Sequence, residues 1–202
     1  MSKDGLVPPF PSLHVPKLEP QLHGVALPAG CAVRRATTDD AAYVAGLMRP
    51  ADRAEMEALE GCSTLDVLRG WMTAPMSNPM AQPPSEARRT PAPRLLTIAG
   101  QPAVLYGIVA SAGWAGHATP WLAAVSTMAH DELTAVMWLS RQQADTWQRR
   151  WPVLQAVCDV RNHFHREWLE WLGFVPQGRV EAFGAAGLPF DLYRRARASV
   201  SP

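Results

Sequence analysis

VLQAVCDVRNHFHREWLEWLGF, residues 153–174, decides the fold. The alternation Val153 to Val160 predicts a strand, and Asn162 is a good helix N-cap. Beyond it, Phe164, Trp168, Leu169, Trp171 and Leu172 form one broad apolar face, while Arg166, Glu167 and Glu170 lie elsewhere on the wheel. Gly173 supplies the stop. Phe174, next in line, can fold back on the last turn, the contact that accompanies a Schellman ending.

Upstream, Leu133, Val136, Met137, Ser140, Ala144 and Trp147 recur at helical spacing with Arg141, Gln142 and Asp145 between them, predicting an amphipathic helix that ends near Pro152. Residues 95–130 carry no Asp, Glu, Lys or Arg. Glycines and prolines interrupt this run every few residues, so it reads as buried strands and not as a membrane span. Arg94 to Ala99 and Pro102 to Ala110 predict an antiparallel pair, buried on both faces, around a Gly100-Gln101 turn, with a third strand at Trp121 to Val125. Further short strands fall at Arg179 to Phe183 and Leu188 to Arg194. Nearer the N-terminus, Ala32 to Ala36 predicts a strand, and Thr37 or Thr38 with Asp39 and Asp40 a helix start. Pro50 opens a helix closed by Gly61, and Ser63 with Asp66 forms a capping box for another. Six prolines from Pro75 to Pro93 predict a loop. The sum is an α+β domain over residues 30–202, a mostly antiparallel central sheet flanked by helices.

Residues 1–29 are different. Six prolines between Pro8 and Pro28, interleaved with Phe10, Leu13, Val15, Leu18 and Leu22, suit neither helix nor ladder and predict an extended arm. Such an arm either lies in a groove or is a disordered terminus. In the first case Pro8, Phe10, Pro11, Leu13 and Val15 are the partner-binding residues, and Trp114, in a glycine-flanked loop, is a second anchor.

The 202 residues hold 19 Lys and Arg against 18 Asp and Glu, evenly divided between the halves, which disfavours nucleic-acid specificity. Only two lysines are present, Lys3 and Lys17, so a polybasic membrane anchor is not expected, and Met1 to Leu18 lacks the pattern of a signal peptide. Cys31, Cys62 and Cys158 are odd in number and lack ligand spacing, arguing against a disulfide framework or a zinc site. His163 and His165 point about 200° apart on a helix and cannot jointly ligate one metal; surface or capping roles are expected. No base is placed by sequence beside Cys158, which reads as a buried strand residue.

The order of elements, with Asp159-Val160-Arg161-Asn162 leading into Trp168-Leu169-Glu170-Trp171-Leu172-Gly173-Phe174, resembles the GNAT acetyltransferase superfamily. Arg49-Pro50-Ala51-Asp52 with Glu55, Pro120-Trp121-Leu122 and Gly187-Leu188-Pro189-Phe190, together with that stretch, resemble more narrowly the internal virion protein A type of short-tailed phages, which carries a GNAT-like domain. This resemblance covers roughly residues 30–195.

The GNAT resemblance implies a loop of backbone N–H groups, containing glycine, that holds acetyl-CoA pyrophosphate ahead of the long helix. The matching stretch Val125 to Glu132 has neither glycine nor Arg, and Asp131 and Glu132 occupy the expected first helical turn. It also implies a Tyr as general acid seven residues after Asn162. Leu169 stands there and cannot donate a proton. The expectation is therefore a virion structural or assembly protein of the head-to-tail region or internal core. It would have no catalytic residues, cofactor or metal, and would use a degenerate domain as a binding module. Its partners would be other virion proteins, met through the arm in repeated copies of a symmetric assembly, and it would be made in the host cytoplasm and located in the virion. The alternative is an acetyl-CoA-dependent N-acetyltransferase, with Ser126 and Thr127 at the pyrophosphate and Asn162 near the thioester.

Overall fold

The computed structural model describes residues 29–77, 91–111 and 114–197. Pro8, Phe10, Pro11, Leu13 and Val15 of the arm lie outside them. Seven strands and five helices run in the order β1 (Cys31–Arg35), α1 (Thr38–Leu47), α2 (Pro50–Glu60), α3 (Thr64–Ser77), β2 (Arg94–Ile98), β3 (Gln101–Ala110), β4 (His117–Ala124), α4 (His130–Gln148), β5 (Val153–Asp159), α5 (His163–Trp171), β6 (Val175–Phe183) and β7 (Leu188–Ala196). The strands form one sheet in the order β1-β2-β3-β4-β5-β7-β6. Every neighbouring pair is antiparallel except β4 and β5, which are parallel.

Alternation along the central strands divides the core into two layers. Leu95, Leu105, Trp121, Ala123 and Val125 pack with Val44, Met56, Val67 and Leu68 of α1 to α3. Leu96, Val104, Tyr106 and Ile108 pack on the other face with Val136, Ala144 and Trp147 of α4 and Leu169 and Leu172 of α5. The sheet is thus covered on both sides, which is why β2 to β4 tolerate a long charge-free sequence. Gly107, paired with Trp121, leaves room for the indole: a Cβ there would lie 2.6 Å from the ring. Trp168 and Trp171 are only partly buried at the margin of the second layer, so truncating them exposes less new cavity than a fully enclosed Trp would.

The caps form as the sequence implies. Thr37 and Asp40 exchange capping-box bonds, Gly61 closes α2 in the left-handed region, and Asn162 Oδ1 accepts from the His165 N–H at 3.3 Å. Phe174 N–H donates to Leu169 O and Gly173 N–H to Glu170 O, with Gly173 at φ 84°, completing the Schellman ending. Several boundaries move. Helix α3 carries on through Pro75 to Ser77, since a proline in a last turn forfeits one bond without ending it. Strand β4 begins at His117, four residues before Trp121, because it pairs with β3 out to Ala110, and β6 begins at Val175 through its pairing with β7.

The tight turn between β2 and β3 is Ala99-Gly100, one residue earlier than the sequence suggests, with φ of 49° and 78°. Positive φ at both positions matches strand twist but strains an alanine. Ala99→Asn should therefore raise the unfolding free energy by ~1 kcal/mol in urea titration; an unchanged or lower midpoint would show that the turn is not strained.

Asp40, 5% exposed, accepts two 2.7 Å bonds from Arg34 and one at 2.8 Å from the Thr37 N–H. The Arg34 guanidinium holds its carboxyl below the ordinary range. A depressed folded value means stability present above the unfolded pKa of about 3.9 and lost as pH falls through the folded one. Asp40→Asn should cost about 1–2 kcal/mol at neutral pH, and its deficit should shrink in unfolding measured below about pH 4.

Candidate functional site

Strands β4 and β5 meet only where His117 faces Val153 and Ala118 faces Leu154. Beyond that point each stays bound to its outer neighbour, β4 to β3 and β5 to β7, and the two diverge. A wedge opens toward their carboxyl ends, in the middle of the sheet, where backbone groups of both strands lose their ladder partners.

The loop Val125 to Ala129 leads from β4 to α4 at the mouth of the wedge. Val125 N–H donates to Ala103 O at 3.0 Å, and Ser126 N–H to Leu47 O at 2.8 Å; Met48 and Val125 form a β-bridge. Ala129 N–H is taken by Glu132 Oε2 at 2.7 Å. Among the described residues, the N–H groups of Thr127 and Met128 have no protein acceptor, and those of the first turn of α4 have none within the helix. Asp131 and Glu132 lie in that first turn. Their field reaches Cys31 on β1, whose thiol is pushed up by burial and by both acids.

Helix α2 spans the wedge below. It begins just after Met48, which bridges to Val125 directly beyond β4, and its last carbonyls, Ala58 and Leu59, accept from Ala186 and Ala185 in the β6–β7 turn. Between these anchors it presents Asp52 and Glu55 to the corner where β5 turns into α5. Asn162 Nδ2 donates to Glu55 Oε2 at 2.5 Å and to Asp52 Oδ1 at 3.0 Å. His165 Nδ1 lies 2.8 Å from Glu55 Oε1. Arg49 holds Asp52 through Nε at 2.7 Å and stacks on Phe164, 3.9 Å above the ring centroid. Burial opposes charging of the His165 imidazole most strongly, but Glu55 and Cys158 together outweigh it and raise the pKa well above the ordinary value. Cys158 lies behind them, fully buried, its thiol pushed up by burial. Asp159 is held low by Arg161, which grips both its oxygens.

Ser126 and Thr127 are exposed at the mouth of the wedge, as the alternative reading requires, but Ser126 has its hydroxyl to offer and not its N–H. The Asn162 amide is buried and used at both ends, by Glu55 and Asp52 on one side and by the α5 cap on the other, so its side chain positions neighbouring elements. His163 is exposed, whereas His165, expected at the surface or as a cap, joins the buried network. The same fold puts that imidazole next to Cys158, where linear spacing showed no base. Glu55 belongs to this site and stood out in the sequence only as a motif residue without an assigned partner, its partners lying more than a hundred positions away. Leu169 is 4% exposed and part of the core. Trp114 is 63% exposed and edge-on to His117, near the closed end of the wedge. The cleft lined by Arg166, Glu170, Arg179, Asp191 and Tyr193, about 370 Å³, lies apart from the wedge, between α5 and the β6–β7 hairpin.

No protein-family model and no curated protein sequence matches the chain. Solved structures do. A putative acetyltransferase from Salmonella typhimurium, yncA, solved with its cofactor acetyl-CoA, is 13% identical with a TM-score of 0.57, the match covering 86% of this chain and 98% of that one. An acetyltransferase of the GNAT family from Streptococcus pneumoniae is 16% identical with a TM-score of 0.53, covering 82% and 98%. The aminoglycoside acetyltransferase AAC(6')-Ib, in complex with coenzyme A, is 16% identical with a TM-score of 0.56, covering 83% and 95%. The chain has a GNAT-like fold, a mixed seven-strand sheet flanked by helices.

Removing one partner from a buried ionic network leaves the others desolvated and unmatched. Glu55→Ala should therefore cost about 3–5 kcal/mol in denaturant unfolding. A loss under about 1 kcal/mol, the range of surface pairs, would mean that α2 is not fixed to the β5–α5 corner through this carboxylate.

Proposed function

We propose that the protein is an acetyl-CoA-dependent N-acetyltransferase acting on an amine. The observation that carries this reading is the wedge between β4 and β5, opening beneath a helix N-terminus and bordered by N–H groups that no protein acceptor uses. The solved structures of the same fold, among them proteins with acetyl-CoA and coenzyme A bound, add support. In the reaction the amine nitrogen bonds to the acetyl carbon, the carbon–sulfur bond breaks, and the amine's proton balances the one taken up by the thiolate.

Whether the residues fit the cofactor turns on magnitudes. The acids at the start of α4 oppose a pyrophosphate, but a solvated unit charge acting on a doubly charged group at ~7 Å costs about 1 kcal/mol, less in salt. A hydrogen bond to a charged group contributes roughly 1.5–3 kcal/mol. Two free donors at Thr127 and Met128, with the first turn of α4, outweigh the acids, which weaken binding without abolishing it. Thr127, Met128 and the Ser126 hydroxyl would hold the phosphates; coenzyme A, when bound, supplies the activated acetyl thioester. Asn162 keeps Asp52 and Glu55 in place on α2, the element that faces the wedge opposite α4. Leu169 offers no proton to the departing thiolate, so that proton comes from water or from the amine itself.

Calorimetric titration should show micromolar binding of acetyl-CoA, and a thiol-release assay over a panel of primary amines should show turnover. Absence of binding at millimolar acetyl-CoA would overturn the reading. Asp131→Asn should tighten acetyl-CoA about two- to fivefold at low salt, with the gain shrinking at high ionic strength; a gain unaffected by salt would point to a rearranged loop instead of a relieved charge.

A second reading, a virion structural or assembly protein, draws on the order of its sequence motifs alone. In that reading the arm docks the domain on other virion proteins, in repeated copies, and the virion is its location. A mass-spectrometric inventory of purified particles tests it: presence there in stoichiometric amounts supports it, and absence removes it.

A further inference from the structure

The network at the foot of the wedge brings together three different metal-ligating chemistries. Glu55 from α2, Cys158 from β5 and His165 from α5 each offer one ligand atom, and these atoms lie within 4.8 Å of one another. Glu55 and Cys158 are buried, and the His165 side chain is one-third exposed. We infer that Glu55, Cys158 and His165 form a binding site for a single zinc-like divalent cation.

The donor set selects the metal. A thiolate, an imidazole and a carboxylate suit a borderline-soft ion such as zinc, whereas calcium and magnesium require oxygen ligands. Binding displaces the thiol proton of Cys158 and one proton of the His165 imidazolium to solvent; the thiolate and carboxylate then carry two negative charges, so an ion of charge two makes the buried unit neutral, as burial requires. The surroundings are arranged as outer support. Asn162 Nδ2 holds Glu55 Oε2 and leaves Oε1 turned toward His165, and the same Asn162 caps the helix that carries His165. A carboxylate oriented by an amide, beside an imidazole on a capped helix, has little left to rearrange on binding. Donors around a tetrahedral zinc at about 2.0–2.3 Å lie about 3.3–3.7 Å apart. The present separations, 2.8 Å for Glu55 to His165 and up to 4.8 Å within the set, bracket that range, and side-chain rotation closes the difference. Three protein donors leave a fourth place, reached from the exposed edge of His165, for water.

Linear spacing hides such a site. Cys158 and His165 are seven apart across a strand, turn and helix, and Glu55 comes from a helix more than a hundred residues earlier. His163 takes no part, because it is exposed while His165 faces Glu55. This inference is independent of acetyl transfer: it requires neither cofactor nor turnover.

The full chain, freed of metal with a chelator, should be titrated with Co²⁺ in a reducing buffer. One equivalent should produce a thiolate-to-cobalt charge-transfer band in the near ultraviolet together with visible bands of a tetrahedral site, and Zn²⁺ should displace them. Cys158→Ser should abolish the near-ultraviolet band, while Cys62→Ser, which alters the exposed thiol, should leave it intact. His165→Ala, checked for folding by far-ultraviolet circular dichroism, should weaken Zn²⁺ binding at least tenfold. A wild-type protein that shows no charge-transfer band overturns the inference whatever the variants do, and so does a band that survives Cys158→Ser or vanishes in Cys62→Ser.

Discussion

A carboxylate removed from water must be met by donors or neutralised, and Glu55 sets that condition at the centre of this molecule. It is 7% exposed and answers to two partners, the Asn162 amide and the His165 imidazole, both on the far side of a gap in the sheet. Meeting the condition fixes α2 across the ends of β4 and β5. It also fixes the β5–α5 corner, because Asn162 and His165 cannot reach Glu55 unless the strand turns into the helix at that point. Local capping and long-range burial therefore share one side chain: Asn162 closes the first turn of α5 with its oxygen and holds α2 with its nitrogen.

The wedge is the counterpart of this lock. Parallel pairing between β4 and β5 lasts for two residue pairs, and beyond it the sheet is joined below by α2 and above by the loop into α4, not by ladder bonds. Both attachments are specific. Ser126 spends its N–H on the carbonyl of Leu47, tying the loop to α1, and Glu132 spends its carboxylate on the N–H of Ala129. What these leave unspent, the N–H groups of Thr127 and Met128, is a donor set narrower and more acidic in setting than a glycine-rich loop would provide. The consequence for a phosphate ligand is quantitative, a matter of about a kilocalorie for each solvated acid, and the acids by themselves do not decide between binding and its loss.

Much of the fold could be read directly from residues 153–174, because each signal there is local: alternation for β5, Asn162 as cap, an apolar face for α5, Gly173 and Phe174 for its ending. The two-layered core was legible in the charge-free stretch, since strands covered on both faces carry apolar residues at successive positions. Boundaries failed where pairing overruled local preference. Pairing with β3 carried β4 back to His117, and the twist of the β2–β3 hairpin placed Ala99 in a conformation its type disfavours. The site was less legible. Ser126 and Thr127 were found through a loop position, but the use of an N–H by Leu47 depends on where α1 ends, which no local pattern encodes. His165 looked like an ordinary helical residue and Glu55 stood out only within a motif, since nothing in a heptad or an alternation marks a partner from another element.

Placing the ionic network and the wedge at the same end of the sheet has a physical cost. Buried hydrogen-bonded charges rarely match well-packed apolar side chains in stability, and Arg49, Asp52, Glu55, Asn162 and His165 occupy ground where Leu and Val would pack. Their linkage as a connected set, with Arg49 stacked on Phe164, gives α2 one register against the sheet where apolar contacts would permit several. A helix held in one register keeps the lower wall of the wedge at fixed separation from α4. Under the proposed acetyl transfer, chemistry between a thioester and an amine would depend on that separation, since misplacing reactive groups by an ångström lowers the rate by orders of magnitude.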